Sequence, residues 1–284
     1  MRPDGDEPAT WRARTGRLRT EAGIAQAPVW LVRAEPRDRA SLTLVCFPYA
    51  GGGASVFRRW SEYLPAEVEV AAVQAPGREQ RLLERAFREL NPLLREIVSQ
   101  LAPALTQPFA FFGHSLGALL AYEVAHALRG HAEPRCLFVS GCRAPHLPPL
   151  GDPIHGLPDR SFINELRRLG GTPGDVLDHD EMMQLLLPSL RADIAISETY
   201  VHRSRSRLTC PIVAFGGVDD PDVPPMALAG WRGHTLGTFT FQLFPGDHFF
   251  LHESRTELLG AMSEVLEPLL PSAVQTDVVR RAAT

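Results

Sequence analysis

Short apolar runs closed by turn residues alternate with segments of helical periodicity, and that alternation constrains the fold of this chain more than any other feature. The runs are "SLTLVCF" (41–47), "VEVAAVQ" (68–74), "PFAFFG" (108–113), "RCLFVSG" (135–141), "CPIVAFGG" (210–217) and "FTFQLFP" (239–245). Their nearly unbroken apolar character reads as strands buried on both faces. Between them, "SVFRRWSEYL" (55–64), "NPLLREIVSQLAPAL" (91–105), "LGALLAYEVAHALRG" (116–130) and "TELLGAMSEVLEPLL" (256–270) repeat their apolar residues at helical spacing. Such an order gives an α/β fold, a mostly parallel central sheet with helices on both faces. The rhythm fails from Ala144 to about Leu208, where Pro-rich loops and helical patterns replace strands. A structureless loop of that length is rare, so the segment from about 145 to 205 reads as a helical insertion over the carboxyl edge of the sheet.

A chain of 284 residues with 44% apolar content holds one such domain, placed at 28–271. Residues 1–27 and 272–284 show little periodicity and are expected to be mobile arms. The net charge is −4, and the 29 basic residues, all arginine, are scattered, so there is no footprint for nucleic acid or for an anionic membrane. No apolar stretch approaches the length of a membrane span and the amino terminus lacks an apolar signal core, which makes a cytoplasmic location the expectation. Cys46, Cys136, Cys142 and Cys210 lie in or beside apolar runs without C-x-x-C spacing and are expected to be buried free thiols.

"FFGHSLGALLAYEVA" (111–125) carries Gly-x-Ser-x-Gly between a strand and a helix. In that setting the glycines give clearance to a sharp turn that lifts the serine hydroxyl above the sheet, which marks Ser115 as a candidate nucleophile. A hydroxyl needs a base, and the base needs an orienting group. In this architecture the acid and then the histidine follow the serine, each after a later strand. "GGVDDPDV" (216–223) supplies Asp219, Asp220 and, more remotely, Asp222; Asp220 is preferred for its place in the loop counted from Gly217. "FPGDHFF" (244–250) supplies His248. His114 is expected to be a packing residue. His252 stands four after His248, but a zinc-hydrolase helix would carry a glutamate directly after its first histidine, so no metal is expected. For the oxyanion, the amide of Leu116 at the helix start is one donor, and the loop "CFPYAGGGASVF" (46–57) supplies a second, assigned to Tyr49 with Ala50 as the neighbouring choice. No Gly-Lys-Ser/Thr follows the "AGGG", so it is not a phosphate loop.

With "FPYAGGGASVFRRW", "VQAPGREQR" (73–81), "GHSLGALLAYEVA", "LPDRSFINELRRLGGTP" (157–173), "LLPSLRADIAISETY" (186–200), "GGVDDPDV" and "GDHFFL", the chain from about 41 to 270 resembles the free-standing type II thioesterases of polyketide and nonribosomal peptide assembly lines, which have the α/β-hydrolase fold. The resemblance implies Ser115 as nucleophile, Asp220 as orienting acid and His248 as base. It also implies hydrolysis of acyl thioesters from the phosphopantetheine arm of an acyl carrier protein or peptidyl carrier domain, without a cofactor, by a monomer. The insertion then corresponds to a helical lid. Within it Phe162, Leu166, Leu169, Met182, Met183 and Leu186 are expected to form a small core of which a few members face the acyl chain. Arg78 and Arg81 are open to two readings, contact with the arm's phosphate or structural salt bridges. A small-molecule carboxylesterase, a chain-releasing thioesterase and a non-catalytic carrier-binding protein are the alternatives to the editing activity.

Overall fold

The computed structural model describes residues 30–271, so both expected arms, 1–27 and 272–284, lie outside the described residues. Seven strands form one sheet: β1 (Leu31–Val32), β2 (Leu42–Phe47), β3 (Val68–Val73), β4 (Phe109–His114), β5 (Leu137–Ser140), β6 (Ile212–Gly217) and β7 (Phe239–Phe244), in the spatial order β1-β3-β2-β4-β5-β6-β7. Every pairing is parallel except β1 with β3. β1 is absent from the sequence reading because two residues carry no periodicity. It is placed by Leu31 opposite Val73 and Val32 opposite Ala72, beside a buried Trp30 whose ring lies 4.4 Å under the Arg81 guanidinium.

The helices are α1 (Leu90–Leu101), α2 (Leu116–Ala127), α3 (Asp159–Leu169), α4 (Gly174–Leu177), α5 (Asp180–Glu198), α6 (Pro225–Ala229), α7 (Phe250–Glu253) and α8 (Arg255–Leu266). Alternate residues of each central strand point to opposite faces. Val45, Phe47, Phe111, Val139 and Ala214 pack with α1 and α2, whereas Leu44, Cys46, Phe112, Phe138 and Phe215 pack with α8 and the 54–62 turns. The helix expected over 55–64 is not an α-helix. Two 3-10 turns, Ala54–Phe57 and Trp60–Glu62, take its place, and residues three apart eclipse at that pitch, so Phe57 and Trp60 both reach Phe112.

The 145–205 insertion holds α3, α4 and α5 around a core of Phe162, Leu166, Leu177, Met183 and Leu190. α3 ends at Gly170, whose φ of +81° provides the left-handed cap and whose N–H bonds to the Leu166 carbonyl at 3.1 Å. α5 contains Pro188; before it Met182 and Leu185 are exposed and Met183 is buried, while after it Ser189, Leu190, Ala192, Asp193 and Ile196 are buried. Met182 therefore departs from the expectation that it belongs to the lid core; it lies on the solvent side of α5's first turn.

Where the two ends of the insertion meet the sheet domain, His234 links Tyr122 (3.0 Å) and His146 (2.7 Å), with the rings of His202 and Trp231 against it. Burial, reinforced by His146, His202 and nearby arginines, pushes His234 down to about 4, and burial with Arg205 and Arg129 pushes His126 down to about 3. Both fold as neutral groups with a proton affinity below that of the unfolded chain. The unfolded state therefore binds more protons below the ordinary histidine value of 6.5. Their contribution is complete above pH 6.5 and declines as pH falls toward about 4 and then about 3. A thermal melt repeated between pH 7.5 and pH 4.5 is expected to show a falling Tm, with His234→Gln reducing the slope.

Candidate active site

Ser115 occupies the turn between β4 and α2 with φ +53° and ψ −120°, a conformation that side chains seldom adopt and that costs about 1–3 kcal/mol. The turn is held by the Ser115 N–H donating to the Ser140 carbonyl at 2.8 Å. Both glycines of the motif are required by contact. A Cβ on Gly113 would stand 2.2 Å from the Gly117 carbonyl oxygen, and one on Gly117 would stand 2.0 Å from the Phe47 carbonyl oxygen. Backbone faces backbone at both points, so no side-chain adjustment relieves the clash. Gly117→Ala is expected to destabilise the fold by about 3 kcal/mol or more, measured by urea denaturation, and to leave little soluble chain.

His248 follows β7 and Asp220 follows β6, so both project from carboxyl ends of strands. Gly217 lets their loops meet, since a Cβ there would lie 2.2 Å from the Asp247 carbonyl oxygen. His248 Nδ1 and Asp220 Oδ2 are 2.7 Å apart, and the Asp220 side chain is wholly buried. Its other oxygen accepts the backbone N–H groups of Asp222 (2.9 Å) and Val223 (3.1 Å). Burial works to raise the Asp220 pKa, but the hydrogen bond and charge of His248 with those two amides outweigh it, and the carboxyl is held below its ordinary value. Asp219 is exposed and only its backbone is engaged, donating to the Gly246 carbonyl at 3.0 Å. Asp222 faces Arg168 at 3.5 Å. The structure thus brings Asp220, of the three aspartates, to the histidine.

Ser115 and His248 line one cavity of about 190 Å³, and they share that space without a direct hydrogen bond between them among the described residues. Its walls come from the Tyr49–Ala50 loop, from Leu150 and Ile154, and from Leu166 and Leu169 of α3 with Leu190 and Ile194 of α5. Leu166 and Leu169 are therefore the members of the expected lid set that reach this cavity. Cys142 also faces it, but burial pushes its thiol up to about 12, so it is no rival nucleophile. Leu116 begins α2 with its side chain in the core, which leaves its amide at the helix N-terminus beside Ser115.

His114 is fully buried, as expected of a packing residue. Its Nδ1 meets Ser140 Oγ at 2.9 Å, and its ring lies against Tyr49, His248 and Phe249. Burial, then the charges of His248 and His252, hold it neutral. His252 Nε2 sits 3.1 Å from the Tyr49 hydroxyl. Among the described residues no group of three or more His, Cys, Asp or Glu side chains is placed to hold a metal ion.

Arg78 and Arg81 follow the structural one of their two readings. Arg81 is spent on Glu84 and the Gln74 carbonyl. Arg78 forms a buried two-point pair with Asp193 of α5, at 2.7 and 3.0 Å. Asp193 was not singled out from the sequence. Its segment, "LLPSLRADIAISETY", is among those that carry the resemblance, but what an aspartate 115 positions from its partner touches is invisible to spacing.

Residues 42–266 match the model of the thioesterase domain family. The chain is 43% identical over 249 residues to the gramicidin S biosynthesis protein GrsT of Aneurinibacillus migulanus, covering 87% of this chain and 97% of that protein. Among solved structures it is similar to the type II thioesterase BorB from the borrelidin biosynthetic cluster (36% identity, TM-score 0.78, covering 84% of this chain and 98% of that one). It is also similar to the thioesterase RedJ from the prodiginine pathway of Streptomyces coelicolor (44% identity, TM-score 0.75, covering 84% and 90%). No helix among the described residues is long and apolar enough to cross a membrane.

Proposed function

The chain belongs to the thioesterase family, with type II thioesterases among its relatives, and from that premise we propose that it hydrolyses acyl thioesters from the phosphopantetheine arm of carrier proteins in polyketide or nonribosomal peptide biosynthesis. Removing stalled or wrongly loaded acyl units is the service such hydrolysis performs. The observation that carries this reading is the single cavity shared by Ser115 and the Asp220-paired His248 under the α3 and α5 helices.

In the proposed reaction His248 Nε2 takes the Ser115 proton as Oγ attacks the thioester carbonyl. The amides of Leu116 and Tyr49 receive the oxyanion. The C–S bond breaks, the thiol leaves with the proton returned by His248, and the acyl group remains on Ser115 as an ester. Water, deprotonated by the same histidine, then attacks that ester and releases the free acid and the serine. The carboxylate of Asp220 keeps the Nδ1–H tautomer and stabilises the imidazolium that forms at each step. No cofactor enters this scheme, and we place the monomeric enzyme in the cytoplasm beside its synthase.

The cavity is small. At about 190 Å³ it falls below the roughly 300–1,000 Å³ of sites that hold drug-sized ligands, which favours short acyl groups. Carrier proteins loaded with acetyl, propionyl, butyryl or octanoyl groups, followed by time-resolved intact mass spectrometry, are expected to lose the three short groups at least about tenfold faster than the octanoyl group. Survival of all four loads, or a higher kcat/KM for a simple aryl ester than for the carrier thioester, would overturn the substrate assignment.

A further inference from the structure

Two segments that a hydrolase fold does not in itself demand, "APGREQR" and "LRADIAISETY", meet at the glycine loop beside Ser115. Asp193 Oδ2 accepts both the Gly51 N–H, at 2.8 Å, and Arg78 Nη1, at 2.7 Å. Its Oδ1 accepts Arg78 Nη2 at 3.0 Å. Arg78 Nη1 also donates to the Gly52 carbonyl at 3.3 Å, and its remaining donors go to the Pro76 carbonyl at 3.1 and 3.2 Å. A carboxylate and a guanidinium therefore grip successive residues of the loop, one through an N–H and the other through a C=O.

The same loop is fastened further along. The Ala54 N–H donates to Gln74 Oε1 at 2.7 Å, and Gln74 Nε2 in turn donates to the Arg78 carbonyl at 3.0 Å. Above the loop, Leu190 of α5 sits so close that a Cβ on Gly51 would be 2.3 Å from its Cδ2. Gly51, at φ +77°, is thus enclosed between two residues of α5 one helical turn apart, Leu190 and Asp193. The pair is nearly wholly buried, with side-chain exposures of 8% and 4%. A charge pair so enclosed contributes little net stability over an apolar pair of similar shape, so its position calls for an explanation other than stability.

We propose that Arg78 and Asp193 are positioning residues. They fix the Tyr49–Gly52 backbone against the docked half of α5 so that the Tyr49 or Ala50 amide stands ready for the oxyanion. This rests on the reading of that loop as an oxyanion donor. An oxyanion donor is effective in proportion to how little it must reorganise, and displacement of about 1 Å can cost about 100-fold in rate. The loop and Leu190 also wall the cavity, but the latch acts chiefly through the oxyanion donor, so its loss is expected to lower kcat far more than it raises KM.

Asp193→Asn leaves Arg78 buried without its counter-charge and could unfold the chain. The informative variant is therefore the double replacement Arg78→Met with Asp193→Leu, which removes both charges and retains bulk. Three readouts apply to it: its melting temperature, hydrogen exchange of the Gly51 amide, and the rate at which a fluorophosphonate labels Ser115, a reaction that also develops charge on the oxygen held by the loop. We expect a folded protein with Gly51 exchange accelerated at least tenfold and phosphonylation and kcat reduced about 30- to 100-fold. Unchanged Gly51 exchange would overturn the latch itself. Accelerated exchange with undiminished phosphonylation would overturn the loop's oxyanion role. Gly51 exchange and phosphonylation use no carrier substrate, so those two decide the inference even if carrier-thioester hydrolysis fails.

Discussion

With Ser115→Ala, an acyl group loaded on a carrier domain is expected to survive incubations in which the wild-type chain strips it completely, a loss of at least about 10⁴-fold in kcat. The size of the effect follows from what remains. The oxyanion amides, the cavity and the Asp220-paired His248 would remain, but attack on the thioester would have to come from a water that nothing covalent positions, in place of the Ser115 hydroxyl fixed at the turn. Cys142, a thiol that also lines the cavity, is protonated because burial pushes it up to about 12. The fold should not suffer. Alanine keeps the Cβ that already tolerates φ +53°, and the serine side chain makes no capping hydrogen bond to the start of α2. Stability is expected to change by less than about 0.5 kcal/mol. Intact mass spectrometry of the carrier alongside a thermal melt of the enzyme checks both statements. A variant that still deacylates at more than about one hundredth of the wild-type rate would remove Ser115 from the mechanism.

The central strands and the order serine, acid, histidine were legible because local constraints write them. β2, β4, β5 and β6 are buried on both sides, so they must be nearly continuous apolar runs, and the turn at Ser115 must have glycine at 113 and 117 because backbone stands within 2.2 Å of where a Cβ would go. β1 was not legible, since its two residues are held by β3 and by the Trp30 stack on Arg81 rather than by any pattern of their own. The 54–62 segment misled in the opposite direction: Phe57 and Trp60 satisfy a helical spacing and a 3-10 spacing equally well, while the Ala54 and Ser55 N–H groups donate to Gln74 and Glu79 side-chain oxygens, partners in other elements that spacing cannot reveal. Arg78 could be read as a phosphate ligand or a salt bridge because its partner lies in another element. Only the packing of α5 against the glycine loop decides it.

The acid is the place where sequence left a choice, and hydrogen-bond inventory makes the consequence of replacing it specific. In Asp220→Asn the carboxamide can sit in two orientations. The site now filled by Oδ1 receives two backbone N–H donors, from Asp222 and Val223, so only the amide oxygen can stand there. The amide NH₂ is thereby turned toward His248 Nδ1, which must accept instead of donate. That forces the proton onto Nε2, the nitrogen that has to take the proton from Ser115, and the base is blocked by tautomer rather than by displacement. A fall of about 10³- to 10⁴-fold in kcat is expected, with His248 still in place and KM little changed. Asp219→Asn, on an exposed side chain, should stay within about twofold of wild type. The pH profile supplies a second check. The hydrogen bond and charge of His248, with the two amides, outweigh burial and keep Asp220 ionised below the ordinary carboxylate value of 3.8, so its contribution persists above that pH and is lost only under stronger acid. The wild-type acid limb of kcat/KM therefore does not belong to Asp220, and Asp220→Asn should depress the rate across pH 5 to 8 instead of moving one limb. If Asp219→Asn carried the large loss and Asp220→Asn the small one, the 2.7 Å contact to His248 would not be the working one.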